Sequence, residues 1–321
     1  MKAKLEGGLY IVFTVSNEQF FYSFSKDNSQ ALRVPSNSRV VIHTFDCFKD
    51  QIQSEQATFQ SIDWNQINPA SGAIYVEGAM PGDILKVHIN EIELGKQGVM
   101  AVGPGLGVMG HRIDAFQIKI IPIENGKALF NDKLHIPLTP MIGVIGVAPA
   151  GEPISCGTPG AHGGNMDTKL ITTGATLYLP VFHEGALFGL GDLHAAMGDG
   201  EVCVSGIEVS ARVTVTLEVI KGTSIPYPFV QNKEGIASIV SKPTLDEAAR
   251  KAVEVMIDAL LPHMELSLGE LTMLCSAIGQ SQISQIVDPL MTARFFMPNS
   301  ALDAYHVKLF EQSTIAGRDE G

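Results

Sequence analysis

The sequence predicts a mainly β protein, with a sandwich- or barrel-like body and a smaller C-terminal α/β unit. Short segments rich in β-branched and aromatic residues, such as residues 83–94 and 175–184, recur along the chain between glycines and prolines. Helical periodicity is scarce between these segments, so the crossover helices of a parallel α/β sheet are not expected. The 32 glycines and 17 prolines provide the turns that many short strands require.

The chain is predicted to divide near residue 225. The composition changes after Lys221, where the segment IPYPFV carries two prolines and is typical of a connector. We therefore expect a β-rich body over residues 1–224 and a smaller α/β unit over residues 225–321.

Helices are expected in the C-terminal unit. Thr244 and Glu247 have the spacing of a capping box, in which each side chain caps a backbone amide at the start of a helix. Apolar residues at helical spacing follow, and a second helix is predicted over residues 266–279. Residues 291–305 are expected to return as a strand.

Charge and composition argue against several classes of protein. The formal net charge of −12 is the opposite of the basic surface with which nucleic-acid recognition begins. The sequence has no run of about 18 apolar residues, so no membrane span is expected. The first twenty residues lack the pattern of a signal peptide, which favours a cytoplasmic location. Reduced and mostly buried thiols are expected at the four widely spaced cysteines, Cys47, Cys156, Cys203 and Cys275.

The densest group of polar side chains lies in residues 191–208. In a regular strand Asp192 and His194 project to the same side, because side chains alternate with a period of two. A carboxylate and an imidazole on one face supply half of a metal site. A polar pair that caps the end of a strand is the alternative interpretation.

A tight hairpin turn is predicted at Asp199 and Gly200. With a two-residue loop, Glu201 shares the face of His194 but lies roughly 13 Å along the strand, at ~3.3 Å per residue. Only a bend or a bulge in the strand would bring Glu201 close to Asp192 and His194. The alternating residues that continue to position 220 are typical of one long strand with one solvated face.

Two further polar groups stand out. Asp46 lies in an apolar strand, where an unpaired buried carboxylate would be costly, so a metal or another cation is expected beside it. Residues 162–167, HGGNMD, form a glycine-rich loop whose backbone can approach a ligand closely. A plain turn, in which Asn and Asp bond to their own backbone, is the alternative.

Several familiar catalytic signatures are absent from the sequence. It contains no GxSxG nucleophile elbow, no P-loop and no dinucleotide fingerprint, and His183 and Glu184 lack the second histidine of HExxH. Cys156 has no neighbouring base, so a thiol mechanism is not expected.

Four segments follow one another between Val41 and Lys221: HTFDCF, NPASGAIYVEGAMPGDILKVHI, PGAHGGNMDT and GDLHAAMGDGEVCVSGIEV. In sequence and order they resemble the acetamidase/formamidase family of amide hydrolases. The resemblance implies a mainly β fold and hydrolysis of a small carboxamide to a carboxylate and ammonia. It also implies a divalent metal, usually zinc or calcium, and a cytoplasmic homo-oligomer.

A metal site is then predicted from carboxylate and imidazole chemistry, since a bound divalent ion lowers the pKa of water and polarises a carbonyl group. The predicted ligands are Asp46, Asp192 and His194. Asp167 or His162 would supplement these three ligands.

Catalysis is assigned to Glu201 and Asp167. Glu201 is expected to take a proton from water and pass it to the departing nitrogen, with Glu208 as the alternative base. Backbone amides of the glycine-rich loop are expected to hold the oxyanion. The predicted substrate-binding residues are His162, Gly163, Gly164 and Asn165.

Other functions fit the same residues. A non-catalytic binding protein would use the metal for stability alone, and a hydrolase of a cyclic amide or an ester would keep the metal and change the bond. The expected partners are a small amide and further copies of the chain, with no nucleic acid and no membrane.

Overall fold

A computed structural model describes residues 2–5 and 8–310, with side chains from residue 12 onward. The described part contains, in chain order, the strands β1 (Lys2–Leu5), β2 (Gly8–Ile11), β3 (Phe13–Val15), β4 (Phe20–Phe21), β5 (Ser23–Phe24), β6 (Leu32–Val34), β7 (Ser38–Thr44), β8 (Ala70–Val76), β9 (Ile84–Leu94), β10 (Gln97–Val102), β11 (Gln117–Glu124), β12 (Lys127–Leu129), β13 (His135–Pro137), β14 (Met141–Gly146), β15 (Ile154–Ser155), β16 (Gly163–Asn165), β17 (Thr176–Pro180), β18 (Phe188–His194), β19 (Glu208–Val209), β20 (Ala211–Ile220), β21 (Phe229–Gln231), β22 (Gly235–Lys242), β23 (Gln280–Gln285) and β24 (Met291–Pro298).

Among the described residues, α-helices occur only in the C-terminal part, and single 3₁₀ turns occur elsewhere. The α-helices are α1 (Leu245–Leu260), α2 (Leu268–Ile278) and α3 (Asn299–Ala304). At the start of α1 the Thr244 hydroxyl accepts a hydrogen bond from the Glu247 amide at 3.3 Å. A reciprocal capping box between Ser267 and Glu270 opens α2. Within residues 2–5 and 8–310, no helix has the length and apolar character needed to cross a membrane.

Two large sheets make up most of the molecule. An eleven-stranded sheet runs in the order β13-β12-β11-β10-β19-β18-β14-β16, and β8 joins it by pairing with β18, β4 and β6. A nine-stranded sheet runs in the order β23-β24-β22-β21-β17-β9-β20-β7-β3. Buried aliphatic side chains of both sheets share one core, with Val87 and Val215 from the nine-stranded sheet and Ile142 and Leu190 from the other. The predicted mainly β fold with a small C-terminal α/β unit is confirmed.

The C-terminal unit extends the nine-stranded sheet. Strands β21 to β24 continue directly from β17, and α1 packs on β22 and β24. Its core joins Met256 and Leu260 of α1 to Phe295 and also contains Ile84 and Tyr178 of the body. The division near residue 225 stays a prediction, and the strands on its two sides belong to one sheet.

The predicted two-residue hairpin is wrong. Strand β18 ends at His194, which pairs with Glu208 in β19, so residues 195–207 form an irregular loop between the two strands. We call residues 195–207 the 195–207 loop. The predicted long strand is also interrupted, because β20 begins only at Ala211.

Bonds to the C-terminal unit explain this irregular path. The Gly200 amide donates to the Ser284 carbonyl at 2.8 Å, and the Ile286 amide donates to the Gly200 carbonyl at 3.2 Å. The Glu201 amide donates to the Gly198 carbonyl at 3.2 Å, so the turn at Asp199 and Gly200 forms. The tip of the loop also pairs with the end of β23, and its flanking residues form no regular hairpin strands. Pairing between distant segments of this kind leaves no periodic signal in a sequence.

Candidate metal centre and active site

A buried imidazole lies among four buried carboxylates. His194, at the end of β18, is completely inaccessible to solvent. We call His194 and the four acidic residues the acidic cluster. The distances from His194 Nε2 to the nearest carboxylate oxygen are 3.1 Å for Glu208, 3.5 Å for Asp192, 3.8 Å for Glu201 and 3.9 Å for Asp167.

Glycine at position 143 allows two of these carboxylates to converge. A Cβ atom built on Gly143, in β14, would lie 2.4 Å from Asp167 Oδ1 and 2.5 Å from Asp192 Oδ2. Both carboxyl groups therefore occupy the space that a side chain would take on β14. Gly206 has a similar role beside the imidazole, because its Cβ would lie 2.5 Å from His194 Nδ1.

The backbone is held in an uncommon conformation at three of the acidic residues. Asp167, Asp192 and Glu201 have φ values of 41°, 56° and 46°. Left-handed conformations of residues other than glycine are uncommon, and strained conformations of this kind cluster at functional sites. With these backbone conformations, the carboxyl groups of all three residues lie within 3.9 Å of His194 Nε2.

Cys47 and Asp288 extend the cluster from two distant parts of the chain. The Cys47 sulfur and one oxygen each of Asp192 and Glu208 lie within 4.8 Å of one another, and ligand atoms of Asp167, His194 and Glu201 form a second such group. Asp288 follows β23, and burial together with the nearby charges of Asp167 and Asp192 raises the pKa of its carboxyl group well above its usual range. Two groups of atoms that could hold a metal ion therefore lie side by side.

Unsatisfied polar atoms test whether a cation suits this site. Buried polar groups are normally hydrogen-bonded, and an orphaned one is costly. Two ligand atoms held tetrahedrally at about 2.1 Å from an ion are about 3.4 Å apart, which is the spacing found around His194. The buried cluster atoms without a hydrogen-bond partner are Asp167 Oδ1 and Oδ2, His194 Nδ1 and Nε2, Glu208 Oε2 and Asp288 Oδ2. Oxygen and nitrogen ligands in this arrangement fit a divalent metal ion.

Burial and mutual repulsion make these carboxyl groups retain protons when no cation is bound. Burial, with repulsion from Asp192, raises the pKa of Asp167 to about 6. Burial raises the pKa of Glu208 to about 8, and burial together with the charge of Asp167 raises the pKa of Glu201 well above its usual range. Burial alone would lower the pKa of His194, but the charges of Glu208 and Asp192 outweigh it and raise that pKa. A bound cation would therefore replace protons that these carboxyl groups retain.

Four of the predicted residues come together in the structure. Asp192 and His194 share a site, although the left-handed Asp192 makes the strand irregular. Asp167 reaches the same site, and the 195–207 loop supplies the bend that brings Glu201 to within 3.8 Å of His194. Their individual roles stay predictions.

Asp46 lies beyond the end of β7, in a turn and not in a strand. Its Oδ1 accepts a hydrogen bond from the Asp50 amide at 2.7 Å. Burial raises the pKa of Asp46 to about 7, and the charge of Asp192 contributes to that shift. The assignment of Asp46 as a metal ligand stays a prediction. In this turn the neighbouring Cys47 has its sulfur beside Asp192 and Glu208.

The glycine-rich loop forms β16, next to β14. A Cβ at Gly163 would lie 2.2 Å from the Ile145 carbonyl oxygen, so the glycine allows β16 to pack closely on β14. The Gly163 amide donates to the Gly160 carbonyl at 3.2 Å. His162 is buried, and burial lowers its pKa to about 4. Substrate binding by His162, Gly163, Gly164 and Asn165 stays a prediction.

Sequence reasoning missed Cys47 and Asp288 and treated Glu208 only as an alternative base. Cys47 adjoins Asp46 in the segment HTFDCF, and this adjacency was a signal that could have identified it. Asp288 had no comparable signal, because only the pairing of Gly200 with Gln285 brings it to the cluster.

A cavity of about 480 Å³ leads to the cluster, with Glu201 and Gly206 in its wall. A second cavity, of about 370 Å³, is lined by polar and ionisable residues that include His43, Glu93 and Arg212. No residue of the acidic cluster lines this second cavity. Substrate access to the cluster is therefore expected through the larger one.

Fold and site together define a β-sheet protein with an interior cluster of residues that could hold a divalent cation and a cavity beside it. The sequence model described as the Acetamidase/Formamidase family matches residues 14–156 and 154–304. The chain therefore belongs to the acetamidase/formamidase family.

Solved structures of similar proteins show the same fold. A crystal structure of a predicted acetamidase/formamidase from Thermoanaerobacter tengcongensis shares 49% identity and a TM-score of 0.91, over 94% of this chain and 100% of that one. An acetamidase from Bacillus halodurans shares 45% identity and a TM-score of 0.90, over 92% and 100% of the two chains.

A formamidase from Methylophilus methylotrophus is 25% identical over 222 residues, which cover 50% of this chain. The match spans 54% of that formamidase, so the chain spans about half the length of this curated relative.

Proposed function

We propose that this protein hydrolyses the C–N bond of a small linear carboxamide, with water as the second substrate and a carboxylate and ammonia as products. The observation that carries the proposal is the position of Glu201, which belongs to the acidic cluster and also lines the cavity. A general base must reach both the bound water and the substrate. The names of the similar proteins, formamidase and acetamidase, support the same reaction.

Glu201 suits proton transfer because burial and the charge of Asp167 raise its pKa well above the usual range of a carboxyl group, which makes it a stronger base. It is 7% exposed, whereas Glu208 is 1% exposed. We therefore assign proton transfer from water to the departing nitrogen to Glu201. Glu208, 3.1 Å from His194 Nε2 and outside the cavity wall, would lie beside the bound ion instead.

The metal would be held by Asp167, Asp192 and His194, with Glu208 and Cys47 beside them. When bound, a divalent ion lowers the pKa of water and polarises the amide carbonyl. A nitrogen and carboxylate ligand set suits Zn²⁺, and a set richer in carboxylates suits Ca²⁺. A cytoplasmic location and a homo-oligomeric state are further parts of the proposal, implied by the family.

The experiment measures ammonia release from formamide and acetamide by chelated protein and by protein reloaded with Zn²⁺ or Ca²⁺. We expect turnover to disappear on chelation and to return with one of the ions. His194→Ala should lose both the ion and turnover. Glu201→Gln should keep the ion at full stoichiometry, measured by elemental analysis, and lose about 10²-fold or more in kcat.

Glu254→Gln is the matched control, because Glu254 lies on the exposed face of α1 and pairs only with Lys251 in the described contacts. It should hydrolyse amides at the wild-type rate. Full metal occupancy without ammonia from any primary amide would favour the non-catalytic binding protein. Near wild-type turnover by Glu201→Gln would move the base to another residue.

A further inference from the structure

The cavity beside the cluster is much larger than the smallest amides. A water-sized group needs on the order of 10–15 Å³ of cavity volume. Formamide, with three non-hydrogen atoms, would therefore fill roughly a tenth of the cavity. The volume of about 480 Å³ falls within the range of roughly 300–1,000 Å³ that is usual for pockets of larger ligands. Formamide would leave most of these walls in contact with water.

The walls of the cavity are mainly apolar. They are formed by β10, by the β12–β13 hairpin and by the 195–207 loop. Val202 is 58% exposed, Ile207 is buried, and the other large apolar wall residues are half-buried. The large apolar wall residues are Met100, Phe130, Ile136, Met197, Val202 and Ile207.

The acidic groups of the cavity wall both belong to the 195–207 loop. Glu201 and Asp199 are the ionisable acids in the wall, and no lysine or arginine occurs among the described residues that line it. Asp199 is already paired with Arg294 and Lys169, at 2.9 and 2.8 Å. An anionic substrate would find no cationic partner in this wall, so the walls favour an uncharged apolar group.

We propose that the substrate is a primary amide whose acyl side carries an uncharged apolar group of about four or more carbons, held by the walls of this cavity. The amide end would face Glu201, and the apolar group would extend toward Ile136 and Phe130. This inference rests on the proposed function, because it assumes that Glu201 marks the reacting end. It adds a substrate class beyond formamide and acetamide.

The test compares kcat/KM for formamide, acetamide, butyramide, hexanamide and benzamide with metal-loaded protein. Burying one methylene contributes about 0.8 kcal/mol, which corresponds to about fourfold in kcat/KM. We expect kcat/KM to rise from acetamide to hexanamide by roughly two- to fourfold per methylene. A flat or falling series with measurable formamide turnover would overturn this inference and leave the proposed function intact. No ammonia from any amide would overturn both.

Two variants locate the specificity in the cavity. Ile136→Asn should lower the hexanamide-to-formamide ratio of kcat/KM on the order of fivefold, because it places a polar group in the apolar wall. Leu134→Asn is the control, since Leu134 lies beside β13, is 51% exposed and is not part of the cavity wall. It should leave the ratio unchanged. An equal fall in both variants, or none in Ile136→Asn, would contradict the placement of the acyl group.

Discussion

Removing the metal should make the stability of this protein strongly dependent on pH. In the metal-free protein the pKa of Asp167 is about 6 and that of Glu208 is about 8, whereas unfolded carboxyl groups titrate near 4. The folded state thus holds protons that the unfolded chain has released. Stability from these groups is fully present below pH 4 and is lost as the pH rises through the two folded-state values.

Each retained proton gives a slope of about 1.4 kcal/mol per pH unit. With two retained protons up to about pH 6 and one up to about pH 8, the metal-free protein should lose about 4 kcal/mol between pH 5 and pH 7. A bound cation replaces the protons, so the loaded protein should show no such loss. Binding of the ion itself strengthens as the ligands deprotonate.

Urea unfolding followed by circular dichroism at pH 5, 6 and 7, with and without a chelator, measures this difference. Glu208→Gln is the control, because it removes one titrating group and should reduce the metal-free slope. A metal-free protein whose stability is constant or rises from pH 5 to pH 7 would refute the reasoning. So would an identical slope in the chelated and loaded proteins.

Two further predictions concern the packing around the site. Gly143→Ala should abolish tight metal binding in a calorimetric titration, because its Cβ would displace the carboxyl groups of Asp167 and Asp192. Gly151→Ala is the control, because its Cβ would meet open space, and it should bind the metal as the wild type does. Equal affinity in both variants would contradict the close approach of the two carboxyl groups to Gly143. Arg294→Met should lower the free energy of unfolding, measured in urea, by about 2 kcal/mol. This loss is smaller than the ~3–5 kcal/mol that is usual for a broken buried ion pair, because the side chain of the partner, Asp199, is 32% exposed. A loss below about 0.5 kcal/mol, as for an ordinary surface pair, would be inconsistent with the buried network.

The sequence predicted the fold class well because its signals are local. Glycine and proline between short β-branched runs mark strands and turns, and Thr244 marks the start of α1. Helical spacing of apolar residues likewise located α1 and α2. These features depend on residues a few positions apart.

The site was predicted only in part, because most of it depends on contacts between distant segments. Asp192 and His194 could be paired from their spacing alone. The approach of Glu201 depends on the pairing of Gly200 with Gln285, and Gly143 is essential only because two carboxyl groups fill the space above it. A regular hairpin was the expected outcome of the local sequence, and a contact some eighty residues away overrode it.

The reach of Asp288 into the cluster has a consequence for how the molecule assembles. Cys47 and Asp288 lie near opposite ends of the chain, yet they border the same buried group of charges. An ion held by ligands from both segments would link two distant parts of the chain. Its binding free energy would stabilise only the folded state, in which both segments have met. Until residues 280–288 join the body, the cluster lacks Asp288, and the 195–207 loop lacks the strand with which Gly200 pairs. Maturation of the site would then be a late step, set by the arrival of the C-terminal strands.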